Sequence, residues 1–312
     1  MAAAETLLLV GPTASGKSAV ALALAERRPV ELVCADSRTV YRGLDIGTAK
    51  PTRRERERVP HHGLDLIRPG ERFSAGRFAE LAAGWLGAIR ARGAEPVVVG
   101  GTGLYLRALV DGLFHEPPLD PERRRRLDAF TARLEPLELA RWARRLDATF
   151  AGGGRQRAAR AIEIALLTGR PLSWWQVAAR RAGAVRPFTV RLTLPRALLH
   201  ERIRRRAEAM VRGGLLEEAA AALADGAAPG APGLDGVGYR EAVAVLTGEA
   251  PREGLVDAIA TSTRQYAKRQ ETWFRHQLGG PGFALDAARP PEQLADEILR
   301  AWDARATARG TA

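Results

Sequence analysis

The chain has 312 residues and a formal net charge of +12, with 48 lysines and arginines against 36 acidic residues. Its hydrophobic content of 46% is that of a globular protein, and no apolar run approaches the ~18 residues of a membrane-spanning helix. One cysteine, Cys34, excludes an intramolecular disulfide framework and a cysteine-rich zinc site. We therefore expect a cytoplasmic protein of one or two domains, and its positive charge is typical of a protein that binds a polyanion.

Four short runs of mostly apolar residues predict β-strands, and the first three are apolar enough to be buried on both faces of a parallel sheet. Helical patterns separate the runs, most clearly from Ser74 to Arg92, where Ser74 is a suitable N-cap and Gly93 a stop. This alternation predicts an α/β fold with a doubly wound parallel sheet. The four runs are Thr6–Val10, Val30–Cys34, Pro96–Gly100 and Thr189–Leu194.

A phosphate-binding loop follows the first strand. Residues 11–18 read GPTASGKS and match the G-x-x-x-x-G-K-[ST] pattern of P-loop proteins, in which backbone N–H groups and a helix N-terminus face a phosphate. Lys17, one of only three lysines in the chain, brings a compact charge, and the Ser18 hydroxyl can ligate a Mg²⁺ that bridges phosphate oxygens. The residues predicted to hold the phosphates are Gly11, Thr13, Ala14, Ser15, Gly16, Lys17 and Ser18.

Polar residues also follow the second and third strands, where ligands of α/β sheets gather. Asp36 ends the second strand, where it can serve as a Mg²⁺ ligand, a general base or merely a turn residue. The third strand ends in GGTG, without the acidic residue of a motor ATPase. Gly101 and Gly103 indicate that something approaches the backbone closely, with the Thr102 hydroxyl beside it. The pattern favours group transfer over hydrolysis, and small-molecule kinases remain open.

A basic helical segment precedes the fourth strand. Between Glu116 and Arg186 there are 15 arginines against 8 acidic residues, a local excess of 7, so more than half of the net charge lies in less than a quarter of the chain. We predict three parts: residues 1–112 as the first part of a P-loop α/β core, residues 113–188 as an arginine-rich, mainly helical insertion domain, and residues 189–312 as the mainly helical completion of the core.

Several motifs, in order and at matching separations, resemble those of bacterial tRNA dimethylallyltransferases, the isopentenylpyrophosphate transferase family. The resemblance spans about residues 5 to 280, and its most specific part is D-S-x-x-x-Y-x-G-x-D-I-G-T-A-K-P from Asp36 onward. It implies transfer of a dimethylallyl group from dimethylallyl diphosphate to N6 of the adenosine at position 37, just 3′ of the anticodon, with release of diphosphate and help from Mg²⁺. The other motifs are GPTASGKS, VVVGGTGLYLRAL, DPERRRRL, QRAARAIEI, GVGYREA and TRQYAKRQETWFR.

The resemblance also implies roles for individual residues. Asp36 matches a general base, Thr102 matches a residue that lines the reaction channel, and Arg206 matches an arginine that supports the diphosphate together with Lys17. Gly153 and Gly154 depart from the family, which has Asn-Asp there, and this puts the local loop geometry in doubt. The positions that match tRNA-binding residues are Asp36, Ser37, Arg38, Thr39, Thr102, Arg124, Gln156, Arg157, Ala158, Ala159, Arg160, Gly236, Val237, Gly238, Tyr239 and Arg240.

Physical arguments from the residues favour the same activity over three alternatives. An adenylate isopentenyltransferase acting on free AMP or ADP would not need a basic insertion, and a small-molecule kinase should have recognisable lid arginines. A non-catalytic RNA-binding module would not need an intact Lys17, Ser18 and Asp36. The resemblance implies tRNA, bound by its anticodon stem-loop, and dimethylallyl diphosphate as partners. We expect no membrane and no obligate protein partner, since a monomer suffices for this chemistry.

Overall fold

The computed structural model describes residues 3–114, 119–179, 182–278 and 281–310. The chain forms two compact units. The core unit comprises Met1–Val110 and Ala184–Ala312, and the insertion unit comprises Asp111–Gly183. No helix in the described ranges has both the length and the apolar composition that a membrane crossing requires.

The core unit is built on a sheet of six parallel strands in the order β3-β2-β4-β1-β5-β6. Leu7 of the central strand β1 lies opposite Val97 on one side and Phe188 on the other. Five consecutive residues at the end of β1 are buried, so helices and loops cover both faces of the sheet there. The strands are β1 Ala4–Val10, β2 Val30–Ala35, β3 His61–His62, β4 Glu95–Gly100, β5 Val185–Thr193 and β6 Gly282–Asp286.

The strand β5 starts earlier than the sequence predicts. It begins at Val185 rather than Thr189, and Ala4 of β1 lies opposite Val185. Arg186 and Pro187 hide this start, because a charged residue and a proline interrupt the apolar pattern of a buried strand. The last residues of the segment predicted as insertion therefore belong to the sheet.

Helices connect the strands of the core unit. The helix predicted from Ser74 begins at Ala75, and the Ser74 Oγ accepts a hydrogen bond from the Arg77 backbone N–H at 3.1 Å. The core helices are α1 Lys17–Ala25, α2 Arg53–Arg58, α3 Ala75–Ala91 and α4 Gly103–Val110, followed after the insertion by α9 Arg196–Arg212, α10 Leu215–Ala224, α11 Tyr239–Leu246, α12 Leu255–Gln277 and α13 Pro291–Gly310; the insertion holds α5 Pro121–Arg133, α6 Pro136–Leu146, α7 Gly154–Thr168 and α8 Leu172–Ala178.

The insertion unit has a small hydrophobic core of its own. Leu139 and Ala143 of α6 pack against Ala158 and Ile162 of α7, and all four side chains are buried. Asp147 ties the end of α6 to the start of α8 by accepting hydrogen bonds from the Ser173 backbone N–H at 2.9 Å and hydroxyl at 2.8 Å. A short apolar seam thus leaves most arginines of this unit on its surface.

Candidate active site

The phosphate loop has the backbone that its glycine spacing predicts. Gly16 caps α1 with a φ of +90°, a conformation that other residues rarely adopt. The Lys17 ammonium lies back over the loop and donates hydrogen bonds to the carbonyl oxygens of Gly11 at 2.9 Å and Pro12 at 2.7 Å. Desolvation lowers the pKa of Lys17 to about 8, with Asp36 raising it and Arg206 lowering it again. Three charged groups therefore act on one another at the mouth of the loop.

Two adjoining cavities of the core unit meet beside this loop. The first, of about 360 Å³, is lined by the loop, the ends of β2 and β4, and helices α9 and α12. The second, of about 300 Å³, leads past Arg38, Gly236 and Arg240. Since the two cavities share part of their lining, the predicted diphosphate site and the predicted tRNA site of the core lie next to each other. The shared residues are Thr13, Asp36, Thr48, Arg206 and Tyr266.

Asp36 and Thr102 lie at the ends of neighbouring strands. The Asp36 Oδ1 accepts a hydrogen bond from the Arg38 backbone N–H at 2.8 Å, so the carboxylate both shapes its own turn and lines the two cavities. The Thr102 backbone N–H donates to the Ala35 carbonyl at 3.1 Å, and its Oγ1 accepts from the Ser37 backbone N–H at 2.9 Å. Thr102 thereby fixes the backbone on both sides of Asp36.

Helix α9 directs one arginine of the run 204–206 into the cavity. Arg204 and Arg205 are exposed and pair with Asp257 and Glu201 respectively. Arg206 lines both cavities, and burial lowers its pKa despite the nearby Asp36. Arg202, one turn earlier, also lines the first cavity. Arg202 was not among the residues predicted from the sequence, although a spacing of four residues puts the Arg202 and Arg206 side chains on one helix face.

Helix α12 supplies two further residues that the sequence did not reveal as parts of the site. Tyr266 lines both cavities, and burial together with Asp36 raises its pKa to about 12, so its hydroxyl stays protonated. Gln270 is 6% exposed and lines the first cavity. A Cβ on Gly101 would lie 2.3 Å from the Gln270 Nε2, and one on Gly103 would lie 2.4 Å from the Trp273 ring. The close approach predicted at GGTG is therefore that of α12.

Two of the predicted tRNA-binding residues have buried side chains, and their contact with tRNA stays a prediction. Tyr239 is 1% exposed, and its hydroxyl accepts from the Gly47 backbone N–H at 3.0 Å and donates to Glu218. Ala158 is 2% exposed and belongs to the small core of the insertion unit. Both residues stood in motifs that resemble the family's, and in this chain their side chains pack the fold. Gly236 and Gly238 are also buried, while Arg240 is exposed.

The predicted tRNA-binding residues of the insertion unit differ in their surroundings. Arg124 and Arg160 both pair with the buried carboxylate of Glu163, each at 2.5 Å. Gln156 and Arg157 are exposed near the start of α7, and Ala159 is half-buried. Arginine count alone does not distinguish the paired from the exposed side chains.

The glycines that depart from the family pattern have a local structural reason. Gly152, Gly153 and Gly154 have φ angles of +96°, +130° and +80°, which side-chain-bearing residues rarely adopt. A Cβ on Gly153 would lie 2.3 Å from the Arg157 Cδ. The glycine run therefore lets the Arg157 side chain lie across the loop.

The residues present fit a magnesium ion held jointly with a diphosphate. The Ser18 hydroxyl and the Asp36 carboxylate line the same cavity, and Mg²⁺ is commonly held by one or two protein oxygens together with phosphate oxygens and water. In the described ranges no group of three or more histidine, cysteine, aspartate or glutamate residues has the arrangement of a metal site.

The parallel sheet, the phosphate loop and the paired cavities define a P-loop α/β protein. Comparison with known proteins identifies the family: the model described as "IPP transferase" matches residues 39–277, and the one described as "Isopentenyl transferase" matches residues 4–63. The chain belongs to the IPP transferase family, and it is a transferase that prenylates an adenosine of tRNA. The predictions of the α/β fold and of the family are thus confirmed.

Individual relatives cover nearly the whole chain. It is 47% identical over 278 residues to the tRNA dimethylallyltransferase of Anaeromyxobacter dehalogenans strain 2CP-C, which covers 88% of this chain and 92% of that protein. The solved structure of the full-length tRNA isopentenylpyrophosphate transferase of Bacillus halodurans has a TM-score of 0.70 and 32% identity, covering 98% of this chain and 99% of the other. A eukaryotic dimethylallyltransferase acting on tRNA has a TM-score of 0.71 and 25% identity, covering 91% and 74%.

Proposed function

We propose that the prenyl donor is dimethylallyl diphosphate and that the acceptor is N6 of the adenosine at position 37, just 3′ of the anticodon, with diphosphate as the second product. The observation that carries this proposal is the meeting of the two cavities at Asp36. One cavity has the phosphate loop with Lys17 and Ser18 in its wall, and the other leads past Arg38 and Arg240. A donor and an acceptor can therefore approach the same carboxylate from two directions.

Asp36 is proposed as the general base. The lone pair of an exocyclic adenine amine is delocalised into the ring, so N6 is a poor nucleophile until a base takes its proton. In the proposed step N6 forms a bond to C1 of the dimethylallyl group, the C1–O bond to diphosphate breaks, and the N6 proton passes to the Asp36 carboxylate. The Arg38 backbone N–H holds the Asp36 carboxylate and Thr102 holds the backbone on both sides of Asp36, which favours a fixed orientation for this transfer.

Cationic groups around the phosphate loop are proposed to stabilise the departing diphosphate. Lys17, Arg206 and Arg202 line the first cavity together with the N-terminal end of α1. Negative charge grows on the bridging oxygen as the C1–O bond breaks, and preorganised cations lower the barrier for this change. Ala14 and Gly16 of the loop line the same cavity and are proposed to supply backbone N–H groups to the diphosphate, whereas the N–H groups of Thr13 and Ser15 donate to Gln270 and Pro12 and shape the loop.

Mg²⁺ is proposed as the cofactor. The Ser18 hydroxyl is the oxygen donor that would hold it together with the diphosphate. When bound, the ion would supply further positive charge to the leaving group. Removal of divalent ions with EDTA should abolish turnover, and Mg²⁺ should restore it.

The acceptor is proposed to be a loop base of tRNA rather than a free nucleotide. A base in an RNA loop can be extruded and stacked in a protein cavity, whereas a paired base cannot reach Asp36. Contacts to the RNA are assigned to the segments Asp36–Thr39 and Gly236–Arg240 of the core and to Gln156 and Arg157 of the insertion, whose exposed side chains suit phosphate contacts. Free AMP or ADP would use none of the insertion surface.

We further propose that the protein acts as a monomer in the cytoplasm. The residues that the proposed reaction uses, Lys17, Asp36 and Arg206, all belong to one chain, so a monomer suffices for the chemistry. A molar-mass measurement by light scattering, with and without tRNA, should give one protein chain per complex.

A single assay tests the proposed reaction. Purified protein, Mg²⁺ and dimethylallyl diphosphate are incubated with unmodified tRNA, with AMP or with ATP, and the nucleosides are then weighed by mass spectrometry. We expect one adenosine of tRNA, located by nuclease mapping at position 37, to gain one C₅H₈ unit. A gain on AMP but not on tRNA would contradict the proposal and indicate an adenylate isopentenyltransferase, and phosphate transfer from ATP would indicate a kinase.

A further inference from the structure

We infer that Gln270 is a positioning residue that couples the phosphate loop to the turn carrying Thr102. The inference rests on the proposed function, because it assigns to Gln270 the alignment of the donor site with the acceptor site. Gln270 lies in the middle of α12, far along the chain from both segments that it joins.

The Gln270 side-chain amide bridges two strand ends. Its Oε1 accepts a hydrogen bond from the Thr13 backbone N–H of the phosphate loop at 2.8 Å. Its Nε2 donates to the Gly101 carbonyl, just after β4, at 2.8 Å. One planar group thus connects the segment that follows β1 to the segment that follows β4.

The bridge is held where little adjustment is available. Gln270 is 6% exposed, and both partners are backbone groups. Any side chain at Gly101 would collide with the amide, because its Cβ would lie 2.3 Å from the Nε2. A buried amide without partners would be costly, so its two hydrogen bonds hold α12 and the two strand ends together.

The connection continues from Gly101 to the reacting centre. The next residue, Thr102, donates from its backbone N–H to the Ala35 carbonyl at 3.1 Å and accepts from the Ser37 backbone N–H at 2.9 Å. Ala35 and Ser37 flank Asp36 in sequence. A shift of the phosphate loop at Thr13 is therefore passed through Gln270 and Thr102 to the backbone that carries Asp36.

The chemistry of the bridge requires one donor and one acceptor on the same side chain. Glutamine has both, a methionine of similar length has neither, and an ionised glutamate has only acceptors. An ionised carboxylate at position 270 would set an oxygen against the Gly101 carbonyl oxygen. A protonated carboxyl group, however, can donate to that oxygen while accepting from the Thr13 N–H, so it reproduces the amide.

This pattern defines the experiment. Gln270→Met and Gln270→Glu are compared with the native chain in steady-state assays from mildly acidic to alkaline pH, with tRNA saturating and dimethylallyl diphosphate varied. We expect Gln270→Met to lower kcat/KM for dimethylallyl diphosphate by about 10- to 100-fold at every pH. We expect Gln270→Glu to be equally impaired at alkaline pH and to approach the native rate as the pH falls, since burial raises the pKa of a carboxyl group.

A matched control and a second readout separate the possible failures. Gln277→Glu changes an exposed glutamine of the same helix and should leave the rate unchanged. Calorimetric titration with inorganic diphosphate and Mg²⁺ needs no tRNA, and there too Gln270→Met should bind more weakly and Gln270→Glu should recover at low pH. The inference is overturned if a folded Gln270→Met variant keeps native activity and native diphosphate affinity. It is also overturned if Gln270→Glu does not recover at low pH. If the native protein binds diphosphate but prenylates no tRNA, the proposed function fails while the titration still tests Gln270.

Discussion

The core unit and the insertion unit use positive charge in opposite ways. In the core, Lys17 and Arg206 line a cavity, and backbone hydrogen bonds from three strand ends fix their surroundings. In the insertion, arginines lie along helix surfaces, and two of them share the single carboxylate of Glu163. The charges of the core thus act through their placement, whereas the exposed charges of the insertion that have no buried partner act through their number.

The largest effect is expected at Asp36. The substitution Asp36→Asn keeps the shape of the side chain but removes the proposed base, so kcat should fall by about 10²-fold or more while tRNA affinity stays within a factor of two. Single-turnover rates and filter-binding affinities measure the two quantities. A turnover close to native would remove Asp36 from the role of base and weaken the contrast between the units.

The next effect concerns the buried tyrosine of the core. Tyr239→Phe removes a hydroxyl that joins the Gly47 N–H to Glu218, and we expect the free energy of unfolding to fall by about 1–2 kcal/mol. Tyr105→Phe is the matched control, because the buried Tyr105 hydroxyl has no hydrogen-bond partner among the described residues. Urea unfolding measures both variants. Equal stability changes would mean that the Tyr239 hydroxyl contributes no more than an unpaired one.

A pH dependence of about tenfold is expected at Lys17. Its pKa is lowered to about 8 in the ligand-free protein, so the ammonium is charged below that pH and loses its proton above it. Since a bound diphosphate favours the charged form, affinity for diphosphate should fall by about tenfold from pH 7 to pH 9. Calorimetry at each pH compares the diphosphate affinities of the native protein and of Lys17→Met. Diphosphate itself changes protonation in this pH range, and the variant shows that effect alone because it lacks the lysine. If the ratio of the two affinities does not change with pH, Lys17 keeps its proton throughout.

The smallest effect is expected on the insertion surface. Arg157→Ala removes an exposed cation, so tRNA affinity should fall a few-fold. The slope of log affinity against log salt concentration should become less steep by about one. Arg160→Ala should change that slope less and lower the thermal stability more, because Arg160 pairs with the buried Glu163. Equal salt slopes for the two variants would show that pairing with Glu163 does not keep Arg160 from the RNA. A tRNA affinity that does not change with salt would mean that the RNA does not bind to these arginines.

The sequence predicts the parts of the molecule that local patterns determine. Buried strands such as β1 and β4 are continuous apolar runs, and the phosphate loop is recognised by spacing. The strand β3 was missed because it is only two histidines long, and β6 because most of its residues are not buried. Local pattern therefore reveals elements that are long or fully buried.

The candidate site was predictable only in part, for a related reason. Residues in loops after the strands follow from their position, whereas Arg202, Tyr266 and Gln270 enter the site on helices distant in sequence. Their place depends on tertiary packing, for which a single sequence carries no direct signal. The same holds for Arg124 of α5, whose pairing with Glu163 depends on how α5 and α7 pack. Arg160 differs, because it pairs with Glu163 within α7 at an i,i+3 spacing that the sequence itself shows.

The scarcity of lysine gives the protein a built-in chemical reporter. Lys50 is wholly shielded, its ammonium held by the Tyr41 carbonyl and by the carboxylates of Asp45 and Asp65, while Lys268 is on the surface. Lys17, with its pKa of about 8, is partly an uncharged and therefore nucleophilic amine in mildly alkaline buffer. Acylation by an amine-directed reagent should thus mark Lys17 and Lys268 and spare Lys50. The yield at Lys17 relative to Lys268 then reads out the occupancy of the phosphate loop without any labelled substrate.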